Sequence, residues 1–366
     1  MKILFVITKS EWGGAQSHLY ELVKDLKSRK HVPVVIVGED GELKERLEKI
    51  NVRVIILKSL IREVRPIKDV ISIIKLKSFI KRINPDLIHL HSSKAGLIGR
   101  ISGRLVRKPI IFTAHGWAFT EGTSSSKRGI YILVERFVGG FTDKIICVSE
   151  FDRQIAIKNN VAPEGRLITV HNGVENIKSI THKKKSPNNI VPKIIMVARF
   201  SPQKDYKTLV EALSKVEGKY EVLLVGEGEL LSETQSYVRE LNLTDKVHFL
   251  GMRKDIPELL DSSDIFVLST NYEGLPLSII EAMSKKLPVI ATDVGGVSEL
   301  IEQNLTGILV KNRDANGLAE NIDFLIKNPK KRVEMGNAGF QKYSTEFSLQ
   351  NMLTKTHEIY TNILYK

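Results

Sequence analysis

Short apolar, β-rich runs alternate with stretches of helical periodicity from Ile3 to about Val170, and the alternation starts afresh at Lys193. This pattern restricts the fold more than any single residue does. Strands joined through helices form parallel sheets, and their crossover helices must cover both faces. The first series predicts strands at Ile3–Thr8, Pro33–Val37, Val52–Leu57, Leu87–Leu90, Ile110–Thr113, Lys144–Val148 and Leu167–Val170. The second predicts strands at Ile194–Ala198, Tyr220–Val225, Val247–Leu250, Asp264–Leu268 and Pro288–Ala291. Between them, Glu175 to Pro192 is rich in Lys, Ser, Asn and Pro and has no periodicity; it reads as a linker, and its Lys183-Lys184-Lys185 run as a solvated loop. The expected fold class is α/β: two facing, doubly wound Rossmann-like domains, 1–175 and 193–345, a linker at 176–192 and a terminal helix at 346–366. Ligands of such sheets bind outside the carboxyl ends of the strands, so two facing units would enclose a cleft there.

A chain of 366 residues exceeds the size at which single cores stop growing, which agrees with two domains. No apolar run approaches the roughly 20 residues that span a bilayer. The opening Met1 to Ile7 is too short for a signal segment and lacks a small-residue cleavage site, so it reads as the first strand. Cys147 is the only cysteine, which excludes an internal disulfide and a multi-cysteine zinc site and fits a reducing cytosol. The formal charge of +13 is unevenly placed: Lys58 to Lys108 holds thirteen Lys or Arg against Glu63, Asp69 and Asp86. Within that stretch Ile67 to Ile83 reads as a helix, with Ile67, Val70, Ile71, Ile74 and Ile80 among its apolar positions and Lys75, Lys77, Lys81 and Arg82 interspersed. Two readings stand side by side: a basic amphipathic helix lying on an anionic membrane surface, or an ordinary helix on a sheet with a soluble basic face.

One strand-end loop carries most of the chemistry. After the buried run Asp264–Leu268, Gly274 frees the backbone and Pro276 suits a first helical position, so a helix is expected to start at about Pro276. Its first amides, near Leu277 and Ser278, lack intrahelical partners and carry the positive end of the helix dipole, which makes a seat for phosphate. Glu273 lies before that seat and Glu281 about two turns inside the helix, so the two carboxylates reach different parts of one elongated ligand. From spacing alone, a solvated helix face is the competing explanation.

Glu273 and Glu281, embedded in the run EGLPLSIIEAM, resemble the E-x7-E motif of the retaining glycosyltransferases of family 4, which have the GT-B fold. The resemblance covers nearly the whole chain. It implies that Glu273 contacts a donor sugar and Glu281 the ribose, with Gly274, Leu275, Pro276 and Leu277 also at the donor site. It places the acceptor on the first domain and the nucleotide sugar on the second, and it returns the terminal helix to the first domain.

Charge on a donor diphosphate must be balanced, and the chain has no Asp-x-Asp pair to hold a divalent metal against it. No metal and no cofactor beyond the nucleotide-sugar co-substrate are therefore expected. Arg199 and Lys204, which alone would pass for surface residues, match the family's diphosphate-binding cations; Arg offers a two-donor grip and Lys a compact charge. Gly13-Gly14, between the first strand and first helix, either makes a tight turn or lets backbone amides approach a ligand. The family has a glycine-rich loop here that faces donor phosphates and acceptor, which favours the second reading and sets the neighbouring Trp12 on the acceptor side.

His115, in Thr113-Ala114-His115-Gly116-Trp117, matches the family's histidine at the donor sugar or reaction centre, although a lone histidine is more often structural. His91, at another strand end, and Asn172, closing the first domain, are assigned to the acceptor side. Gly226-Glu227-Gly228 follows a strand but lacks the third glycine of a dinucleotide fingerprint; the resemblance puts Glu227 at the donor site instead. Met252, in Gly251-Met252-Arg253, stands where family members hold the nucleobase, with uridine the expected base.

The implied activity is a retaining, metal-independent transfer of a hexose or N-acetylhexosamine from a UDP-sugar to an acceptor hydroxyl. The segments from Ile7 to Gln16 and from Thr113 to Trp117 are similar to bacterial enzymes that build surface polysaccharides (O-antigen, capsule or exopolysaccharide) on polyprenyl-diphosphate carriers. This implies a lipid-linked glycan acceptor, a cytoplasmic location at the inner face of the cell membrane, and no nucleic-acid partner. Three rivals fit less well. A UDP-sugar 2-epimerase of the same fold does not account for the E-x7-E embedding, a nicotinamide dehydrogenase needs a complete glycine fingerprint, and a nucleic-acid-binding protein has only the charge balance in its favour.

Overall fold

The computed structural model describes residues 1–120, 123, 125–177 and 191–365. Most of the expected linker, including its lysine run, lies outside the described residues. The chain divides into two compact units, Met1–Asn172 with Gln350–Lys366, and Gly173–Leu349. In the first, β1 (Lys2–Ile7), β2 (Val32–Val37), β3 (Arg53–Ile56), β4 (Leu87–His91), β5 (Ile110–Ala114), β6 (Lys144–Cys147) and β7 (Leu167–Thr169) form a seven-stranded sheet in the order β3-β2-β1-β4-β5-β6-β7. In the second, β8 (Lys193–Val197), β9 (Glu221–Val225), β10 (Val247–Gly251), β11 (Ile265–Leu268), β12 (Val289–Thr292) and β13 (Gly307–Val310) form a six-stranded sheet in the order β10-β9-β8-β11-β12-β13. All pairings are parallel. Each order reverses once, at β1/β4 and at β8/β11, and right-handed crossovers therefore send the helices on either side of the reversal to opposite faces.

Each strand expected from the sequence is present, with ends within one residue. β13 is the addition: its four residues are too short a run to stand out, and Gly307 lets it lie against β12, since a Cβ there would fall 2.5 Å from the Val289 carbonyl oxygen. In β1, Ile3 to Ile7 are fully buried, as expected of a strand covered on both faces. The Ser93–Leu105 helix sits close over β4 and β5 because Gly96 and Gly99 face the sheet. A Cβ on Gly99 would come within 2.3 Å of Leu90 Cδ2, and one on Gly96 within 2.6 Å of Phe112 Cε2. Arg100, on the same helix, is wholly buried over the Phe112 ring and donates to Glu135 Oε2 of the Ser125–Gly139 helix at 2.7 Å.

The Pro66–Ile83 helix lies where the sequence predicts one, at Ile67–Ile83. Its inward side is Ser72, Leu76, Ile80 and Ile83, so of the apolar positions singled out from the sequence only Ile80 is buried, while Ile67, Val70, Ile71 and Ile74 face solvent. The last helix, Leu349–Leu364, belongs to the first unit from Gln350 onward, where Tyr360 is buried with its hydroxyl 2.7 Å from His89 Nδ1 in β4. The chain thus passes between units at Asn172-Gly173 and again at Leu349-Gln350. Val174 and Ser348, beside those two points, form a parallel bridge.

Candidate active site

In the second unit the loops after β8 and β11, on either side of the reversal in strand order, are laced together. Lys204 and Thr270 form an antiparallel bridge, the Asp205 N–H donates to the Ser269 carbonyl at 3.0 Å, and the Asn271 N–H donates to that of Gln203 at 2.8 Å. This register delivers Lys204 Nζ to Glu273 Oε1, an oxygen that also accepts from Thr270 Oγ1 at 2.9 Å, while Gln203 Nε2 donates to Glu273 Oε2 at 3.2 Å. Both charged side chains are nearly enclosed, at 12% and 7% exposure. A carboxylate held by a cation and two further donors has a fixed orientation. Gly295 props the turn from behind: its φ is +59°, and a Cβ would fall 1.9 Å from the Glu273 carbonyl oxygen.

Pro276 is the cap of the following helix rather than its first residue. Its φ of −70° suits a helix but its ψ of 119° is extended, so the helix runs Leu277–Ser284. Glu281 is therefore just over one turn inside; the two turns expected are its distance from Glu273, not from the helix start. No side chain caps this helix and its first turn has no acidic residue, so the leading amides are left for an anion. Glu281 is half-buried; no hydrogen bond reaches its carboxylate among the described residues, and burial pushes its pKa up to about 7. Leu275 and Pro276 are buried, Gly274 and Leu277 half-buried, and Arg199 exposed.

Gly226 and Gly228 have a reason unconnected with phosphate. Their φ values are +141° and +153°, and Cβ atoms would fall 2.1 Å and 2.2 Å from the carbonyl oxygens of Ala198 and Phe200. They seat the loop after β9 on the loop after β8 and leave Glu227 exposed. Met252, after left-handed Gly251, is exposed as well.

The first unit gathers histidines at the carboxyl ends of β4 and β5. His91, the last residue of β4, shares a hydrogen bond between its Nδ1 and His115 Nε2 at 3.0 Å, with the rings stacked. His18, from the Gly14–Ser28 helix, meets His115 edge-on at 4.9 Å, and its Nδ1–H donates to Asn172 Oδ1 at 3.0 Å. His89 is held between the Tyr360 hydroxyl and Thr113 Oγ1, both at 2.7 Å. Burial drives His18 down to about 4 and holds His89, His91 and His115 well below the usual imidazole range, an effect that neighbouring imidazoles reinforce in the latter three. The cluster is therefore neutral near neutral pH. His91 Nε2 is buried without a partner among the described residues. Nitrogens of His18, His91 and His115 lie within 4.8 Å of one another, a spacing that ligands of a transition metal could adopt.

His91 and Asn172 are buried, with His91 bonded to His115 and Asn172 to His18. Gly116, after His115, has a φ of +107° and so favours glycine. Ser92, after β4, is left-handed at φ +68° without being glycine, and its Oγ lies 2.8 Å from Thr8 Oγ1, tying the ends of β1 and β4 together at the strand-order reversal. Gly13 and Gly14 are exposed, and Gly13 is the extended, uncapped start of its helix. Trp12 is half-buried, with the Arg46 guanidinium 3.9 Å from its ring centroid.

Residues 12–176 match the family model described as Glycosyltransferase Family 4, and residues 178–342 match the one described as Glycosyl transferases group 1. The Escherichia coli UDP-Gal:alpha-D-GlcNAc-diphosphoundecaprenol alpha-1,3-galactosyltransferase is 32% identical over 297 residues, 76% of each chain. The chain belongs to glycosyltransferase family 4. The Escherichia coli O-antigen biosynthesis glycosyltransferase WbnH is 31% identical over 310 residues, 85% of this chain and 86% of its own. The crystal structure of Anabaena Alr3699/HepE in complex with UDP and glucose shares the GT-B fold, with a TM-score of 0.86 over 99% of this chain and 100% of its own at 23% identity.

In this family 4 glycosyltransferase the expected site residues fall into two groups, one at the carboxyl edge of each sheet. Lys204 and Glu273 touch, and Gly274, Leu275, Pro276 and Leu277 lead from them into the helix that holds Glu281. His91 and His115 touch on the other sheet, with Asn172 one contact away through His18. Sequence reasoning missed Gln203 and Thr270, which pin Glu273, and His18, whose only signal is its place one turn after Gly14, on the inward side of a helix.

Proposed function

We propose that this glycosyltransferase binds a UDP-sugar on its second unit and transfers a hexose or N-acetylhexosamine, with retention and without a metal, to a hydroxyl of a polyprenyl-diphosphate-linked glycan. It would act in the cytoplasm at the inner face of the membrane, in the assembly of a bacterial surface polysaccharide. The observation that carries the donor half is the Glu273 carboxylate, fixed by Lys204, Thr270 and Gln203 beside an uncapped helix N-terminus. Glu273 is oriented to accept hydrogen bonds from sugar hydroxyls and Glu281 from those of the ribose. The amides at Leu277, with Lys204 and Arg199, offset negative charge growing on the departing diphosphate. Prearranged donors of this kind contribute about 3 kcal/mol each to a transition state.

On the first unit His115, a neutral imidazole steadied by His91 and His18, is assigned to the reaction centre. The acceptor oxygen bonds to the anomeric carbon on the face the diphosphate leaves, the bond from that carbon to the phosphate oxygen breaks, and the acceptor proton passes to that oxygen. The relatives support the substrates: one is named for UDP-Gal and a diphosphoundecaprenol-linked sugar, another for O-antigen biosynthesis.

Thermal unfolding with a panel of UDP-, GDP- and ADP-sugars tests the donor site. A ligand at a hundred times its Kd stabilises the native state by about 2.7 kcal/mol, and Glu281→Ala is expected to abolish the shift given by one UDP-sugar. No shift with any nucleotide sugar, or an undiminished shift in Glu281→Ala, would reject the site. An inverted anomer in the product, or loss of turnover in EDTA, would overturn the retaining, metal-free chemistry.

A further inference from the structure

The crossovers from β3 to β4, β4 to β5 and β5 to β6 run in one direction across the first sheet, so right-handed connections put the Pro66–Ile83, Ser93–Leu105 and Ser125–Gly139 helices on one face. The middle helix packs against both neighbours. The outer two each carry a second apolar stripe that nothing among the described residues covers. On the first, Ile67, Val70 and Ile74 recur at helical spacing with Val64 just ahead of them; on the other, Ile130, Leu133 and Phe137 do the same. All seven side chains are more than half exposed. A helix of a globular protein needs one apolar face, and both helices already have one turned inward. Contiguous exposed apolar surface of this kind marks a binding face.

The charges on these helices select the partner. Each helix has a single acidic residue, and both are already neutralised from the middle helix: Asp69 accepts from Lys94 Nζ at 2.6 Å, and Glu135 from Arg100 Nη2 at 2.7 Å. Lys68, Lys75, Lys81, Lys127, Arg128 and Arg136 stay exposed beside the stripes. Apolar side chains flanked by unneutralised cations match a bilayer with anionic headgroups, where the stripes reach the acyl boundary and the cations the phosphates.

We propose that the outer face of the Pro66–Ile83 and Ser125–Gly139 helices docks this glycosyltransferase on an anionic phospholipid surface. For its role this rests on the lipid-linked acceptor proposed above; the contacts themselves do not. The test is co-sedimentation with vesicles of phosphatidylcholine alone or mixed with phosphatidylglycerol, at low and raised salt. Mixed vesicles are expected to bind the chain about tenfold more tightly than neutral ones, and salt to weaken that binding. The double variants Ile67→Glu/Ile74→Glu and Leu133→Glu/Phe137→Glu should each lose about tenfold on mixed vesicles, and their exposed positions should preserve the wild-type thermal midpoint. Should one double fail to fold, the other still decides.

No preference for mixed vesicles, or binding that ignores both doubles, overturns the proposal. A vesicle-free dimer that both doubles dissolve would hand the face to a second copy and overturn it too. UDP-sugar stabilisation of the wild type, measured alongside, separates the two ideas. Stabilisation without vesicle binding removes docking alone, and vesicle binding without stabilisation removes the donor site alone.

Discussion

Glu281 is a carboxylate that the folded chain holds at a cost. Its folded pKa of about 7 lies above the ordinary 4.5, so between those values the native state keeps a proton that the unfolded chain has released. Stability therefore falls as pH rises through that window, and above it the full penalty, on the order of 3 kcal/mol, is in force. Glu281→Gln should stabilise the protein toward this limit at about pH 8, have little effect near pH 4.5, and weaken UDP-sugar binding throughout. Urea midpoints across that range check it; a difference that does not vary with pH would mean the carboxylate is not what strains the site. The two motif glutamates could be found from spacing and their embedding residues. The cradle around Glu273 could not, because Lys204 reaches it through a bridge to Thr270, a pairing between distant segments that leaves no local pattern.

At the scale of elements, helix propensity and packing oppose each other at Gly99. Alanine is the better helix former by about 1 kcal/mol, yet its Cβ would come within 2.3 Å of Leu90 Cδ2. Gly99→Ala is therefore expected to destabilise by about 1–3 kcal/mol, since a filled core must shift to admit it. Gly129→Ala, in the Ser125–Gly139 helix where a Cβ meets nothing within 4 Å, should instead stabilise by about 0.5–1 kcal/mol. Chemical denaturation of the two variants checks the opposite signs. Strands were legible almost to the residue because burial on both faces demands unbroken apolar runs between turn signals. Periodicity located the Pro66–Ile83 helix but not its orientation, for two apolar stripes share it and only packing shows which one turns inward. Pro276 misled by one residue because proline fixes φ and leaves ψ free.

In the whole molecule the four clustered histidines, His18, His89, His91 and His115, all belong to the first unit, as do Trp12 and Trp117, the only tryptophans. Tryptophan fluorescence thus reports that unit alone. The imidazoles titrate below their ordinary 6.5 when folded, so as pH drops beneath 6.5 the unfolded chain takes up protons that the native unit refuses. His18, held down to about 4, should by itself remove on the order of 3 kcal/mol across that span. The fluorescence-detected urea midpoint is expected to fall steeply from about pH 6.5 toward pH 5, and less steeply in His18→Gln; a flat profile would show that the cluster takes up protons freely. The two-sheet organisation was legible because each series of strands repeats the alternation. The histidine cluster was not, since it joins a helix, two strands and the C-terminal helix. That last contact makes the order of synthesis differ from the order of completion. Tyr360 leaves the ribosome only after the entire second unit has emerged, so the nascent first unit waits until then with His89 lacking its phenolic partner.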